Sequence, residues 1–391
     1  MILLIDLLAT VLAFLGHFSL CVWVFNRLHA RPWPRPRIKA AEQLVLLFAG
    51  GVVAIFALRA LMTGSCVWQG EIPRAAELAW LAYPAFCGLI ALLAVPMWVV
   101  PKLRERVPAA LLSNDTTHLD LALRLGKSLA GTPGTRLCAA LPGNEIFHIA
   151  IQRKTLHLPR LPEELEGLSI AHLSDLHMTG RVTRPYYDEM VELTNAQQPD
   201  VIVITGDICE KVACLEWIVP TLGRLRAKEG KFFVLGNHEL KLPDVSHLRR
   251  LMEQAGFVDV ASQSRLVPLR GREILLAGTE MPWFGSLPND LPSVTEGLFR
   301  LLLSHTPDLL PWAKASAFDL MLAGHNHGGQ IRLPIIGPLI APSNYGFRYA
   351  GGLYYEEPTL LHVSRGLGGL HPVRLNCPPE LPILILTGRA S

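Results

Sequence analysis

The sequence predicts an α/β fold, a layered sandwich of strands and helices, preceded by an α-helical transmembrane region. Two observations carry this reading. Five short apolar runs of strand length each stop at a residue able to bind a metal ion, with helical patterns between them. Ahead of them lie three apolar stretches, 2–25, 44–62 and 78–100, each near the roughly 20 residues that cross a bilayer core.

The first stretch carries only Asp6 as a charge, and the second carries Arg59 near its end, where a long side chain can reach the interface. Trp23, Trp68, Trp80 and Trp98 fall at or near the expected ends, as interfacial aromatics do. Helices of a soluble bundle would show a polar face, and these show almost none. The first stretch lacks a basic leader and two more follow it, so it is not read as a cleaved signal. Arg27, Arg31, Arg35, Arg37 and Lys39 crowd the first loop, and Lys102, Arg104 and Arg106 follow the third stretch. The second loop, 63–77, offers only Arg74 as a basic residue. Basic loops stay on the cytoplasmic side. The expectation is therefore a multi-pass protein of the plasma (inner) membrane with everything after residue 100 in the cytoplasm.

Three regions are expected: a membrane region 1–100, a juxtamembrane connector 101–162 and an α/β domain 163–391. In the connector, Leu119, Leu123, Gly126 and Ala130 stand near helical spacing. The segment 117–130 thus reads as a helix, lying either on the membrane interface or on the domain that follows. Residues 131–143 read as a loop, and the alternation of Phe147, Ile149 and Ile151 marks 145–158 as a strand. Pro159 and Pro162 close the connector. Helical patterns at 184–198, 215–227 and 247–256 then separate the motif strands, while 272–277, 300–303, 320–322, 359–364 and 381–387 read as further strands.

A formal net charge of +3 over 391 residues gives no reason to invoke nucleic acid. The seven cysteines are odd in number and lack a C-x-x-C pair, so neither a disulfide framework nor a zinc knuckle is read. Cys209 lies close to Asp207 and reads as a packed wall residue rather than a ligand.

The chemistry sits at the run ends. Run 168–173 leads into Ser174-Asp175-Leu176-His177, run 201–204 into Gly206-Asp207, and run 232–235 into Gly236-Asn237-His238-Glu239. Run 301–303 reaches Ser304-His305, and run 320–322 reaches Gly324-His325-Asn326-His327. Ligands of open α/β sheets gather beyond the carboxyl ends of the strands, so five such ends can converge on one pocket. Two aspartates, one asparagine and four histidines suffice for two divalent ions. Imidazole, carboxylate and amide oxygen together suit manganese, iron or zinc. His148, His157, His172, His247, His362 and His371 read as packed or surface residues, with His172 nearest the motifs.

The ordered blocks Asp-x-His, Gly-Asp, Gly-Asn-His-Glu, lone His and Gly-His-x-His resemble the calcineurin-like metallophosphoesterases from residue 165 to the C-terminus. The bacterial membrane-anchored branch is resembled more closely still, in LLSHTPD at 302–308, GHNHGGQIRL at 324–333, VSRGLG at 363–368, PVRL at 372–375 and CPPE at 377–380. Two positions depart from it: Glu239 stands where many bacterial members have Asp, and Asn326 where they usually have Thr. Neither matches a ligand position, so activity is expected to survive both.

The resemblance implies a four-layer sandwich of two mixed β-sheets flanked by helices. It implies two metal ions bridged by Asp207, with Asp175, His177 and His327 completing one site and Asn237, His305 and His325 the other. His238, which follows Asn237 and has an imidazole that titrates near working pH, is expected to protonate the leaving oxygen or hold the phosphoryl charge. The protein phosphatases of the superfamily continue Gly-Asp into Asp-Arg-Gly, whereas here Ile208-Cys209-Glu210-Lys211 follows. That directs the expectation toward a small or lipid-linked phosphodiester or pyrophosphate. The membrane-anchored branch is similar to enzymes that cut the pyrophosphate of UDP-2,3-diacylglucosamine in lipid A biosynthesis. The competing expectation is a membrane sensor or scaffold whose domain binds without turnover. Such a domain usually lacks the bridging carboxylate or the acid histidine, and both are present. Arg365 and the glycines after it are expected either to line the substrate groove or to form a tight turn.

Overall fold

The computed structural model describes residues 2–68, 75–103, 108–294, 297–334, 336–369 and 371–389. The chain divides into two compact units, Met1–Arg106 and Val107–Ser391.

The first unit is α1 (Ile2–His29), α2 (Arg35–Thr63) and α3 (Ala75–Leu103). All three are long and apolar enough to cross a membrane, with mean hydropathies of 2.1, 2.4 and 2.1 in their apolar windows. Pro36 in the first turn starts α2, so Arg35, Arg37 and Lys39 lie on its first turns rather than in an open loop. Polar groups in an apolar surrounding need partners. Asp6 finds three: its carboxylate accepts the backbone N–H groups of Cys66 at 3.1 Å, Val67 at 2.8 Å and Trp68 at 2.7 Å. Buried His17 of α1 meets the Tyr83 hydroxyl of α3 at 2.7 Å and the Ala49 carbonyl of α2 at 3.2 Å.

The second unit contains two sheets. The seven-stranded sheet comprises β1 (Leu111–Asp120), β2 (His148–His157), β3 (Ser169–Leu173), β4 (Val201–Thr205), β5 (Gly230–Val234), β6 (Val258–Asp259) and β15 (Glu380–Thr387), in the order β1-β2-β15-β3-β4-β5-β6. The six-stranded sheet comprises β7 (Gln263–Leu269), β8 (Arg272–Thr279), β9 (Arg300–Ser304), β10 (Leu320–Ala323), β13 (Gly352–Glu356) and β14 (Thr359–Val363), in the order β13-β14-β10-β9-β8-β7. A small hairpin, β11 (Arg332–Leu333) with β12 (Gly337–Pro338), stands apart. Both sheets are mixed: β3, β4, β5 and β6 run parallel, as do β8, β9, β10 and β14, with antiparallel pairs at β1–β2, β3–β15, β7–β8 and β13–β14.

Period-two alternation builds the layers. Ile170, Val201 and Val203 of one sheet pack with Leu301, Leu303, Leu320 and Leu322 of the other in an apolar seam. The opposite faces of the same strands, Ala171, Leu173, Ile202 and Ile204, pack under α6 (Arg184–Ala196) and α8 (Val245–Gln254) through Tyr186, Met190, Leu248 and Met252. Leu302, Met321 and Leu361 pack under α9 (Leu310–Ala315). Helix, sheet, sheet and helix form four layers.

The structure differs from several sequence expectations. Residues 108–162, expected as the greater part of a connector, contribute two strands to the seven-stranded sheet, with β2 between β1 and β15. The expected helix over 117–130 is instead the end of β1 followed by one short helix, α4 (Leu121–Leu125), and the expected loop over 131–143 contains another, α5 (Pro133–Ala139), started by Thr132 as cap and Pro133 in its first turn. Eight consecutive Cα partners across β1–β2, from Ser113 to Asp120, outweigh helical spacing at its start. Asp120 caps α4 and Gly126, at φ 60°, ends it. The single helix expected over 215–227 is broken into α7 (Val212–Leu215) and a wide turn at Ile218–Leu222. Pro220 lacks the N–H that a continuous helix would need.

Candidate metal centre

The parallel strands β3, β4 and β5 end side by side, and so do β9 and β10 of the other sheet. Their following loops bring the motif residues together. Asp175, His177, Asp207 and His327 form one group whose ligand atoms lie within 4.8 Å of one another; Asp207, His305 and His325 form a second. Asn237 joins the second, its Oδ1 3.1 Å from His305 Nε2. Asp207 Oδ2 sits between the groups, 3.5 Å from His177 Nε2 and 3.3 Å from His305 Nε2. All seven residues proposed from sequence as ligands thus meet in one place, and six of them are buried.

The backbone is shaped for this. Asp175, His177, Asp207, His325 and His327 all hold left-handed φ values between 48° and 72°, a region that costs a non-glycine residue about 1–3 kcal/mol. Gly206, at φ 90°, has no room for a side chain: a Cβ would lie 2.6 Å from both Gly236 N and His305 Nδ1.

The donor set fits metal ions. Buried Asp207 Oδ2, His325 Nε2 and His327 Nδ1 have no hydrogen-bond partner among the described residues. Ring nitrogens face each other closely, His177 Nε2 to His327 Nε2 at 3.0 Å and His325 Nδ1 to His305 Nε2 at 3.2 Å. Buried polar atoms left unpaired cost free energy that cations would recover. Electrostatics agree: burial disfavours the His305 cation, but the facing Asp207 carboxylate outweighs it and holds the imidazole at about 9.

Three residues outside the expected set complete the centre. Glu210 accepts from His177 Nδ1 at 2.5 Å and His238 Nδ1 at 2.7 Å, and also pairs with Lys241. Burial opposes its charge, yet these two histidines hold its carboxyl well below the usual range. Glu239 accepts four backbone N–H groups, those of Asp207, Ile208, Cys209 and Gly236, and so ties the Gly-Asp turn to the Gly-Asn-His turn. Burial and the adjacent Asp207 charge push its carboxyl up to about 8. Trp283, on the loop after β8, lies with its ring 5.5 Å from that of His305 and 4.9 Å from that of His325. Glu210 was visible only as a carboxylate three residues after Asp207, and Glu239 only as the last residue of its motif block with no role assigned; Trp283 carried no signal.

His238 donates its backbone N–H to Asp207 Oδ1 at 2.8 Å and turns Nε2 to 4.0 Å from Asp207 Oδ2. Its side chain is 13 % exposed, more open than those of His177 and His305. Burial lowers its pKa, with Asp207 and Glu210 acting the other way. Arg365 lies against the Gly328 position and pairs with Glu380 at 3.4 Å rather than with the cluster residues. Fully buried Arg374 donates to the carbonyls of Arg365, Gly368 and Cys377 and shapes the loop.

Comparison with known proteins agrees with this geometry. The family described as calcineurin-like phosphoesterase matches residues 168–329. The chain is 31% identical over 239 residues to the uncharacterized metallophosphoesterase YkuE of Bacillus subtilis (strain 168), covering 59% of this chain and 83% of that protein. It is 32% identical over 221 residues to phosphodiesterase YaeI of Escherichia coli (strain K12), covering 56% of this chain and 81% of the relative. It is 31% identical over 303 residues to a transmembrane protein with metallophosphoesterase domain of Bos taurus, covering 68% and 67% respectively. With the motif blocks, the four layers and these likenesses together, the chain belongs to the calcineurin-like metallophosphoesterases.

Proposed function

We propose that this metallophosphoesterase hydrolyses a phosphodiester or pyrophosphate bond of a lipid-linked substrate at the membrane that α1–α3 cross. The carrying observation for hydrolysis is the unpartnered Asp207 Oδ2 between two groups of ligand-capable residues, with His238 beside it. In this reading Asp175, His177 and His327 hold one divalent ion, Asn237, His305 and His325 the other, and Asp207 is shared. Manganese, iron or zinc fit the donors, and such a pair supplies positive charge to the attacking and departing oxygens.

The chain's own residues do the rest. Glu210 holds His238 by Nδ1 and so turns Nε2 inward, where the doubly protonated ring would supply the leaving oxygen's proton; burial opposes that form, and Glu210 and Asp207 favour it. The same carboxylate orients His177 through Nδ1, leaving Nε2 for the centre. The Glu239 brace keeps Asp207 and Asn237 in fixed relation.

Three apolar helices on one chain support a substrate that shares the membrane plane, because anchoring there raises the effective concentration of enzyme and lipid for each other. Exposed apolar side chains flank the centre: Leu240 two residues after His238, and Ile331, Leu333 and Ile340 at the β11–β12 hairpin. That hairpin packs on Gly329, two residues after His327. UDP-2,3-diacylglucosamine is the specific lipid proposed. Full-length protein with manganese should release UMP from it and much less from its deacylated form; equal rates on both, or none on either, refute the lipid reading alone.

The proposal places the second unit in the cytoplasm. Arg27, Arg31, Arg35, Arg37 and Lys39 against a second loop with Arg74 alone support that side. A reporter fused after Ser391 should be active only in the cytoplasm, and activity outside the membrane reverses the topology.

A further inference from the structure

The largely apolar seam between the two sheets is crossed by a line of buried polar residues. Lys154 lies two positions from Leu156, His172 two from Ile170, Thr205 two from Val203, and His362 two from Leu360. By the period of a strand, each points into the same seam as its apolar neighbour. All four are buried, three of them completely. They form a chain: Lys154 Nζ to His362 Nε2 at 3.1 Å, His362 Nδ1 to His172 Nδ1 at 2.9 Å, and His172 Nε2 to Thr205 Oγ1 at 2.8 Å. It starts on β2 of the seven-stranded sheet, passes through β14 of the six-stranded sheet, and returns to β3 and β4.

The chain has a direction. As an ammonium Lys154 only donates; burial works against that charge, and Glu380, 4.0 Å away and itself paired with Arg365, favours it. His362 Nε2 therefore accepts, its proton sits on Nδ1, and it donates to His172 Nδ1. His172 then carries its proton on Nε2 and donates to Thr205. Each imidazole is neutral and held in one tautomer. Burial, which drives both ring pKa values down, agrees.

Such a line is a poor device for stability, because replacing buried ionic and polar groups by apolar ones of similar volume is often neutral or stabilising. Its distinctive property is direction. Apolar packing resists separation of two sheets but does little to fix one offset, whereas aligned hydrogen bonds tolerate only one. Offset matters here because Asp175, His177, Asp207 and Asn237 follow strands of one sheet, and His305, His325 and His327 follow strands of the other. Thr205, where the chain ends, also accepts from His305 Nδ1 through its carbonyl at 2.7 Å.

We propose that Lys154, His362, His172 and Thr205 act as a directional clamp that sets the offset of the two sheets and so positions one group of metal ligands against the other. These are positioning residues, and the proposal rests on the two-ion reading of the centre. The test uses the full chain in detergent, stripped of metal, with manganese as the probe. In the triple variant Lys154→Met, His172→Leu, His362→Leu, the thermal midpoint without metal should equal or exceed that of the parent. Each ion would draw ligands from both sheets, so at least one of the two manganese affinities should weaken about ten-fold or more. Nitrogen-15 spectra of the metal-free parent should show His362 protonated on Nδ1 and His172 on Nε2, a readout that holds even if the variant does not fold. Unchanged affinities for both ions in the folded variant, or the opposite tautomers in the parent, overturn the clamp while leaving the phosphoesterase reading intact. A parent that takes up fewer than two ions overturns both.

Discussion

Five left-handed non-glycine residues in one cluster are a local cost that only a well-determined surrounding sustains. Here the surrounding is hydrogen bonding: Ser174 Oγ and the His325 N–H hold Asp175, and Glu239 holds the turn of Asp207. At this scale the roles of His238 and Glu210 separate experimentally. His238→Ala should keep its metal and lose about 10²–10⁴ in turnover on a phosphodiester with a poor leaving group. Glu210→Gln should lose about 10–100-fold, the scale of an orienting partner. Turnover and metal content measured on the same preparations check both, and near-parent turnover in His238→Ala refutes its role as proton donor. The seven ligand-capable residues were legible because each follows an apolar run directly. Glu210, Trp283 and the Lys154–His362 pair were not, because what gives them meaning is a partner up to 208 residues away.

At the scale of elements, the strands with strong alternation or β-branched runs were legible, and α6 and α8 were too, since their apolar faces repeat at helical period. The start of the second unit was not. Segment 117–130 offers helical spacing, but its fate is set by pairing with β2, a long-range contact that no local pattern reports. The consequence is measurable. A chain beginning at residue 163 loses β1 and β2, leaves the β15 edge unpaired, and removes buried Ile149, Ile151 and Leu156. Truncating such side chains costs about 2–5 kcal/mol each, which together rivals the roughly 5–15 kcal/mol that holds a domain folded. It should aggregate, whereas a chain beginning at residue 107 should be monodisperse with one cooperative thermal transition. A soluble, cooperatively folded 163–391 contradicts the assignment of β1 and β2 to the sheet's stability.

Over the whole molecule, the sequence divides its chemistry cleanly: uninterrupted apolar helices before residue 106, and every candidate ligand after residue 174. Composition made the first unit legible, and ordered motifs made the second legible. The four-layer closure followed from the family resemblance rather than from periodicity, since alternation shows that a strand has two faces and not what covers each one. The proposed function depends on two ions that Asp207 would share, and manganese titration of the metal-stripped full-length chain, with hydrolysis of bis(p-nitrophenyl) phosphate followed at each addition, tests that most directly. The account predicts two ions bound per chain, turnover that appears only with the second, and loss of both the second ion and turnover in Asp207→Asn. Full turnover with one ion or none, or an Asp207→Asn chain that keeps two ions and the parent rate, contradicts it.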